Sequence, residues 1–129
     1  MDTLEIRTRR KAELIDVTSE IERVVSKSGV EDGLCVVFVP HTTAGVTINE
    51  NADPDVKSDI LMALDKVAPE SRGYAHSEGN SPGHIKASLV GSSATVIVEG
   101  GSLKLGTWQG ICLCEFDGPR TRKVCVKVI

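Results

Sequence analysis

Hydrophobic and polar positions repeat along the chain with two different periods. Alternation at every second residue, or a short apolar run bounded by turn residues, predicts a β-strand. Such segments are residues 3–9, 14–17, 34–39, 46–48, 94–98, 103–108, 111–116 and 123–129. Because turns rich in Gly and Pro separate the last four, the pattern predicts a meander of antiparallel strands in the C-terminal third.

Helical spacing occurs in three segments between these strands. A capping-box pattern at Ser19 and Glu22 predicts a first helix to about residue 28. Asp53 is the predicted N-cap of a second helix, which stops at residues 68–69. Residues 70–82 read as a long loop, and Ser81 is the predicted N-cap of a short third helix. We therefore predict one domain over residues 1–129, of α+β class, with a mostly antiparallel, sandwich-like β core.

Charge and composition narrow the choice of partners. The 15 basic and 18 acidic residues give a net charge of −3, which argues against a nucleic-acid or membrane surface. The charged first 20 residues lack the apolar middle of a signal peptide, so a cytoplasmic location is expected. The four cysteines fall in apolar segments and are expected to be small buried hydrophobes, although Cys112 and Cys114 have the alternative of chelating a metal.

The three histidines of the chain are the first candidate for chemistry. His41 follows a strand, His76 lies in the long loop, and His84 lies in the first turn of the third helix. A single such histidine is more often a surface or hydrogen-bonded residue. Three imidazoles on one metal leave an open coordination position that activates water or polarises a substrate oxygen. We therefore predict a divalent metal ion on these three residues, provided that the loop folds back to bring them together.

Amides and carboxylates near these segments are candidate catalytic groups. Asn49, Glu50 and Asp53 follow the strand that comes after His41. Asp53 caps a helix, but Glu50 has no capping role, so it is predicted either to orient a metal-bound histidine or to accept a proton. Glu115 lies in a strand with apolar residues on both faces, which predicts a buried carboxylate that needs a partner.

Other residues suit an anion. Asn80, Ser81 and Gly83 stand at a helix start, where free N–H groups and the helix dipole favour a phosphate. Arg120 follows a Gly-Pro turn and is available either to bind an anion or carboxylate or to line an edge strand. Trp108, the sole tryptophan, is expected to be a partly buried hairpin residue.

Several motifs together resemble the YjbQ-like family, which is named after a secondary thiamine-phosphate synthase activity. In chain order they are His41-Thr42-Thr43-Ala44, Asn49-Glu50-Asn51-Ala52-Asp53-Pro54, His76, His84-Ile85-Lys86, Leu105-Gly106-Thr107-Trp108-Gln109-Gly110 and Glu115-Phe116-Asp117-Gly118-Pro119-Arg120. The resemblance covers nearly the whole chain. It implies a homotrimer with a polar pocket near subunit interfaces and a metal ion, zinc in some members, on histidines.

The resemblance also assigns residues to that pocket. The matching positions are His41, Asn49, Glu50, Asp53, His76, His84, Trp108, Gln109 and Glu115. It implies a transferase that joins a pyrimidine diphosphate to a thiazole phosphate, giving thiamine phosphate and pyrophosphate.

The same residues are consistent with two other functions. One is a metal-assisted hydrolase of a phosphorylated small molecule, in which zinc is held by the histidines and Glu50 or Glu115 acts as base. The other is a non-catalytic, trimeric protein that binds a small molecule or a metal.

Overall fold

The computed structural model describes residues 1–71 and 73–129, which form eight strands and three helices. In chain order these are β1 (Asp2–Arg7), β2 (Glu13–Asp16), α1 (Thr18–Ser28), β3 (Asp32–Phe38), β4 (Ala44–Glu50), α2 (Pro54–Val67), α3 (Ser81–Val90), β5 (Ser93–Glu99), β6 (Ser102–Leu103), β7 (Gln109–Glu115) and β8 (Thr121–Val128). The α+β class is confirmed. The predicted loop 70–82 ends where α3 begins, and its residue 72 lies outside the described residues.

The strands form two antiparallel sheets. The larger sheet has the order β1-β8-β3-β5-β6, and the smaller has the order β2-β7-β4. The predicted C-terminal meander is therefore wrong, because β7 leaves the larger sheet and β8 returns to it. Every residue of β7 after Gln109 is buried, and an antiparallel strand buried on both faces needs covering layers on both sides. As the central strand of the smaller sheet, β7 has the core between the two sheets on one face and helices α2 and α3 on the other.

One hydrophobic core fills the space between the sheets. It joins buried residues of β3, β5 and β8 to those of β4 and β7, and Ile21 and Val25 of α1 are fully buried in it. A smaller cluster on the other side of β7 joins Ala87 of α3, Cys114 and Phe116, with Leu61 and Leu64 of α2 packed against it. The smaller sheet is thus covered by apolar side chains on both faces.

The larger sheet has one face that is exposed and apolar at its centre. Leu34 and Phe38 of β3 are 41% and 45% exposed, and Ile97 of β5 and Ile129 are each 59% exposed. Leu34 pairs with Ile97 across the strands, and its backbone exchanges hydrogen bonds with Ile129. We call this surface the open face.

Two helices begin differently from the sequence prediction. Among residues 1–71 and 73–129 no side chain caps α1 at Val17, so the predicted capping box of Ser19 and Glu22 is wrong. The carboxylate of Glu22 instead accepts a hydrogen bond from the backbone N–H of Leu103, 3.1 Å away. Helix α3 has Asn80 rather than Ser81 as its N-cap. The side chains of Glu22 and Asn80 are bonded to residues far away in the chain, so neither of them caps its helix.

Helix α2 begins as predicted. Asp53 is its N-cap and accepts a hydrogen bond from the backbone N–H of Asp55 at 2.9 Å, and Pro54 follows at the first helical position. The predicted strand 103–108 is much shorter than expected. Gln109 donates its backbone N–H to the carbonyl of Gly106 and accepts from the N–H of that residue, so a turn replaces the strand. No helix in the described ranges is both long and apolar enough to cross a lipid bilayer.

Candidate functional site

Strand β4 separates the predicted site residues into two groups. Ala44, at its start, pairs with Glu115, whereas Glu50, at its end, pairs with Gln109. Six residues of strand span roughly 20 Å. His41 lies just before the start of β4, so the structure does not bring Glu50 to the histidines within one chain. We call the two groups the histidine end and the Glu50 end.

The histidine end brings the three imidazoles to one region. His41 and His84 line the same cavity of about 330 Å³, together with Thr42, Ser88 and other residues of α3 and the turn after it. The rings of His76 and His84 are perpendicular, with their centres 5.2 Å apart. The loop before α3 therefore folds back as the sequence prediction required.

His41 is held by the neighbouring strand. Its Nε2 accepts a hydrogen bond from the backbone N–H of Lys123 at 2.8 Å, so in the neutral ring Nδ1 carries the proton. Burial lowers the pKa of His41, and the positive charges of Arg122, Arg120 and Lys123 lower it further, against an opposing effect of Glu115. His41 is thus a neutral hydrogen-bond donor near neutral pH.

The arrangement offers part of a metal site. Within residues 1–71 and 73–129, no three His, Cys, Asp or Glu side chains are grouped closely enough to hold an ion. His76 and His84 are in contact, but the Nε2 lone pair of His41 is already used. The three-histidine zinc site stays a prediction, with two of its ligands together in this chain.

Burial raises the pKa of Cys114 to about 12, as expected for an inert apolar thiol rather than a metal ligand.

Glu115 is fully buried against Arg122, so the predicted need for a partner is confirmed. Its Oε1 accepts from Arg122 and from the N–H of Asp117, and its Oε2 accepts from Arg122 and from the hydroxyl of Thr8. Burial raises the pKa of Glu115, but these hydrogen bonds outweigh burial and lower it. All its acceptor positions are used, so this carboxylate joins β7 to β8 and has none left for a substrate.

Sequence reasoning missed Asp117, which lies in the turn after β7 and contacts the residue that precedes α3. Its Oδ2 accepts from the side-chain amide of Asn80 at 2.8 Å and from Nη2 of Arg120 at 3.1 Å. Gly83 also lies here, since a side chain at that position would approach the carbonyl oxygen of Phe116 to 3.0 Å. The carboxylate of Asp117 therefore lies beside the helix start at which the sequence predicted a phosphate, and the phosphate site at Asn80, Ser81 and Gly83 stays a prediction. An acidic residue in the motif before Arg120 was the available signal.

The Glu50 end carries turn contacts. Asn49 accepts a hydrogen bond from the backbone N–H of Glu50 at 2.7 Å, and Gln109 accepts from Gly106. Trp108 is 65% exposed, so it is less buried than the sequence predicted. The catalytic roles predicted for Asn49, Glu50, Asp53, Trp108 and Gln109 stay predictions.

Comparison with known proteins places these features in a family. The family model described as "UPF0047 protein YjbQ-like" matches residues 2–129. UPF0047 protein YugU of Bacillus subtilis is 52% identical over 130 residues, which cover 100% of this chain and 98% of YugU. A Clostridium acetobutylicum crystal structure of the YjbQ/UPF0047 family has 59% identity and a TM-score of 0.98, with full coverage of both chains.

A more distant structure carries the same fold. It comes from Sulfolobus solfataricus, has 36% identity and a TM-score of 0.95, and is described as a YbjQ-like protein of unknown function; the match covers 98% of this chain and 94% of that one. The thiamine-phosphate synthase assignment drawn from the resemblance is therefore wrong, because the family is one of unknown function.

Proposed function

Since the chain belongs to the YjbQ-like UPF0047 family, which is defined by sequence and fold rather than by an activity, we propose from its own side chains that it is a metal-dependent hydrolase of a small anionic molecule. The observation that carries this proposal is the 5.2 Å separation of the His76 and His84 ring centres. The groove that His84 shares with His41 leaves space for a substrate beside them.

The ring separation fits a shared ion. Two imidazoles that each bind one tetrahedral zinc at about 2.0–2.1 Å have ring centres roughly 5 Å apart. His84 lies in the first turn of α3, so a regular element of the fold holds one of the two imidazoles in place. Oε2 of Glu78 lies 4.0 Å from Nε2 of His76, which is too far for a hydrogen bond, so Glu78 adds negative charge near the rings without orienting them. His76 and His84 would therefore hold the ion.

The residues in and near the groove supply the hydrogen-bonding groups that would position a substrate and a water. Zinc, when bound, lowers the pKa of a coordinated water and stabilises negative charge on a substrate oxygen. Neutral His41 presents its Nδ1–H as a donor, because Lys123 holds Nε2. Asn80 Oδ1 is buried with no partner among the described residues, so it has an acceptor position for a water or a substrate N–H. Neither Glu50 nor Glu115 serves as base in this proposal.

We also propose that the protein is a cytoplasmic homotrimer that associates through the open face. Phe38 and Ile97 give this surface an apolar centre, and the charged side chains of Glu5, Lys123 and Lys127 lie on the neighbouring strands. An apolar centre with a polar rim is the usual anatomy of a protein–protein interface.

Metal binding is tested first. Zinc titrated into chelator-treated protein is expected to bind at one site per chain, and His76→Ala and His84→Ala are each expected to weaken binding by about tenfold or more. Ser88→Ala, in the same groove, is the matched control and should bind zinc normally. Equal zinc binding by all these proteins would contradict the proposed ligands.

Catalysis is tested separately on a panel of phosphate esters. Zinc-loaded protein should hydrolyse at least one ester, and His84→Ala should lower kcat/KM by roughly a hundredfold or more. The His84→Ala protein must keep its unfolding midpoint within a few degrees of wild type for this loss to count. Zinc binding without turnover of any ester would refute the hydrolase and leave a metal-binding protein.

A further inference from the structure

A small pocket lies at one corner of the larger sheet. It has a volume of about 190 Å³ and is lined by Arg7, Thr8, Pro119, Arg120 and Thr121. Since a water molecule takes up about 30 Å³ of liquid, this space holds roughly six waters, or one tetrahedral oxyanion with some of its hydration. Its size and its two guanidinium groups suit a small anion.

Arg7 reaches this pocket from the end of β1. It pairs directly with Thr121 of β8, and both residues are exposed on the same side of the sheet. Facing residues of antiparallel strands have Cβ atoms about 5 Å apart, so the long Arg7 side chain extends over Thr121. In the described ranges Arg7 takes part in no salt bridge within 4.0 Å. Its guanidinium is therefore free to bind a ligand.

Arg120 approaches the same pocket from the turn before β8. Its Nε donates to the carbonyl of Asp117 at 2.9 Å and its Nη2 donates to the Asp117 carboxylate at 3.1 Å. A guanidinium has five N–H donors, so three are left for a ligand. Asp117 is itself held by Asn80 at the start of α3. This support fixes the direction of Arg120 before any ligand binds, which lowers the entropic cost of binding.

The surrounding charge is positive although the chain carries a net charge of −3. Arg122 is paired with Glu115, and Arg120 is paired with Asp117. Arg7 adds a further cation, and Lys123 of β8 faces Glu5 across the strands.

We propose that this pocket binds the phosphate group of a small molecule whose other end reaches the histidine groove. Thr121 lines the pocket, and two residues further along β8, about 7 Å, the backbone of Lys123 contacts His41. The identity of the rest of the ligand rests on the proposed hydrolase function. The phosphate pocket itself depends only on the two arginines and their surroundings.

The test is direct binding of inorganic phosphate to the full chain, measured by calorimetry. Wild type should bind phosphate saturably, and Arg7→Gln should weaken binding by about tenfold or more, because charge-assisted hydrogen bonds are lost. Arg9→Gln is the matched control, because Arg9 is exposed just beyond the same strand and does not line the pocket. It should bind like wild type. Arg7→Lys should fall between wild type and Arg7→Gln, because it keeps the charge without the planar fork.

Two results would overturn the proposal: no saturable binding up to roughly 10 mM phosphate, or equal weakening by Arg7→Gln and Arg9→Gln, which would indicate a general charge effect. Phenylphosphonate, which has no ester bond to hydrolyse, should bind more tightly than free phosphate if the pocket serves a phosphorylated molecule. Equal or weaker binding would assign the pocket to free phosphate and reject the larger ligand.

The His84→Ala variant separates this inference from the proposed hydrolase, because the variant should lose zinc binding while keeping phosphate binding.

Discussion

Glu115 and Arg122 are 0% and 2% exposed, and each depends on the other for its charge to be tolerated inside the protein. Arg122 also donates to the hydroxyl and the carbonyl of Thr43 just before β4. The pair therefore ties the smaller sheet to the larger sheet beside the histidine end. A partner is needed for burial, but such a pair need not add net stability compared with apolar residues of similar volume.

Replacing one member of this pair should destabilise the protein strongly. Glu115→Gln leaves Arg122 as a buried charge without its counter-ion, so the free energy of unfolding should fall by about 3–5 kcal/mol in urea denaturation. Asp59→Asn, on the exposed side of α2, should change it by less than about 0.5 kcal/mol. The double variant Glu115→Leu/Arg122→Met should be more stable than Glu115→Gln. A double variant that is equally unstable would show that the charges themselves are required.

His41 should make stability depend on pH. Its pKa in the folded protein lies below the ordinary value of 6.5, so between these two values the unfolded chain binds more protons than the folded chain. The stabilisation is therefore complete above pH 6.5 and is lost as pH falls through the folded pKa. Compared with His41→Gln, which cannot titrate, wild type should lose stability as pH is lowered from 7.5 to 5.

This expectation is checked by urea unfolding of both proteins at several pH values. The difference between their free energies of unfolding should be constant above pH 7 and should change in favour of His41→Gln below pH 6.5. A difference that is constant down to pH 5 would show that His41 has no lowered pKa in the folded protein.

At the scale of elements, α2 is the helix that depends most on its own ends. It has no fully buried residue, and its apolar side is only half-covered by the cluster around Phe116. Local signals such as the Asp53 cap must then supply a larger share of its stability than burial does. This is also why its start agrees with the sequence prediction, whereas the starts of α1 and α3 were settled by contacts with other elements.

Removing the cap should loosen α2 before it affects the rest of the fold. Asp53→Ala should lower the local stability of the first turns by about 1 kcal/mol, seen as faster amide hydrogen exchange in α2. Asp59→Ala, within the exposed part of the same helix, should slow exchange or leave it unchanged, because alanine favours helix. Equal acceleration in both variants would mean that the Asp53 hydrogen bond is not what holds the helix start.

At the scale of the whole molecule, the open face is the feature that a single chain leaves unexplained. Phe38→Lys and Ile97→Lys each place a charge at its apolar centre, and desolvating that charge should oppose association. Light scattering should then give a trimer for wild type and smaller species for both variants. Leu89→Lys, on α3 and 58% exposed, is the matched control and should remain a trimer. A monomeric wild type would contradict the proposal.

The sequence alone determined the local features of this protein. Alternation and short apolar runs located most of the strands, Asp53 and Pro54 located the start of α2, and the apolar residues around Glu115 predicted its burial. Each of these depends on neighbours within a few positions along the chain, and local propensity and periodicity record such relations directly.

Only the tertiary structure decided which of these features meet. The transfer of β7 to the smaller sheet and the roughly 20 Å between the two ends of β4 follow from strand order and register. The contact of His76 with His84 follows from the way the loop before α3 folds back. Most of the candidate residues could be named from the sequence, but their division between two ends of β4 could not. Pairing between distant strands is selected by the packing of the whole core, and no local pattern carries that information.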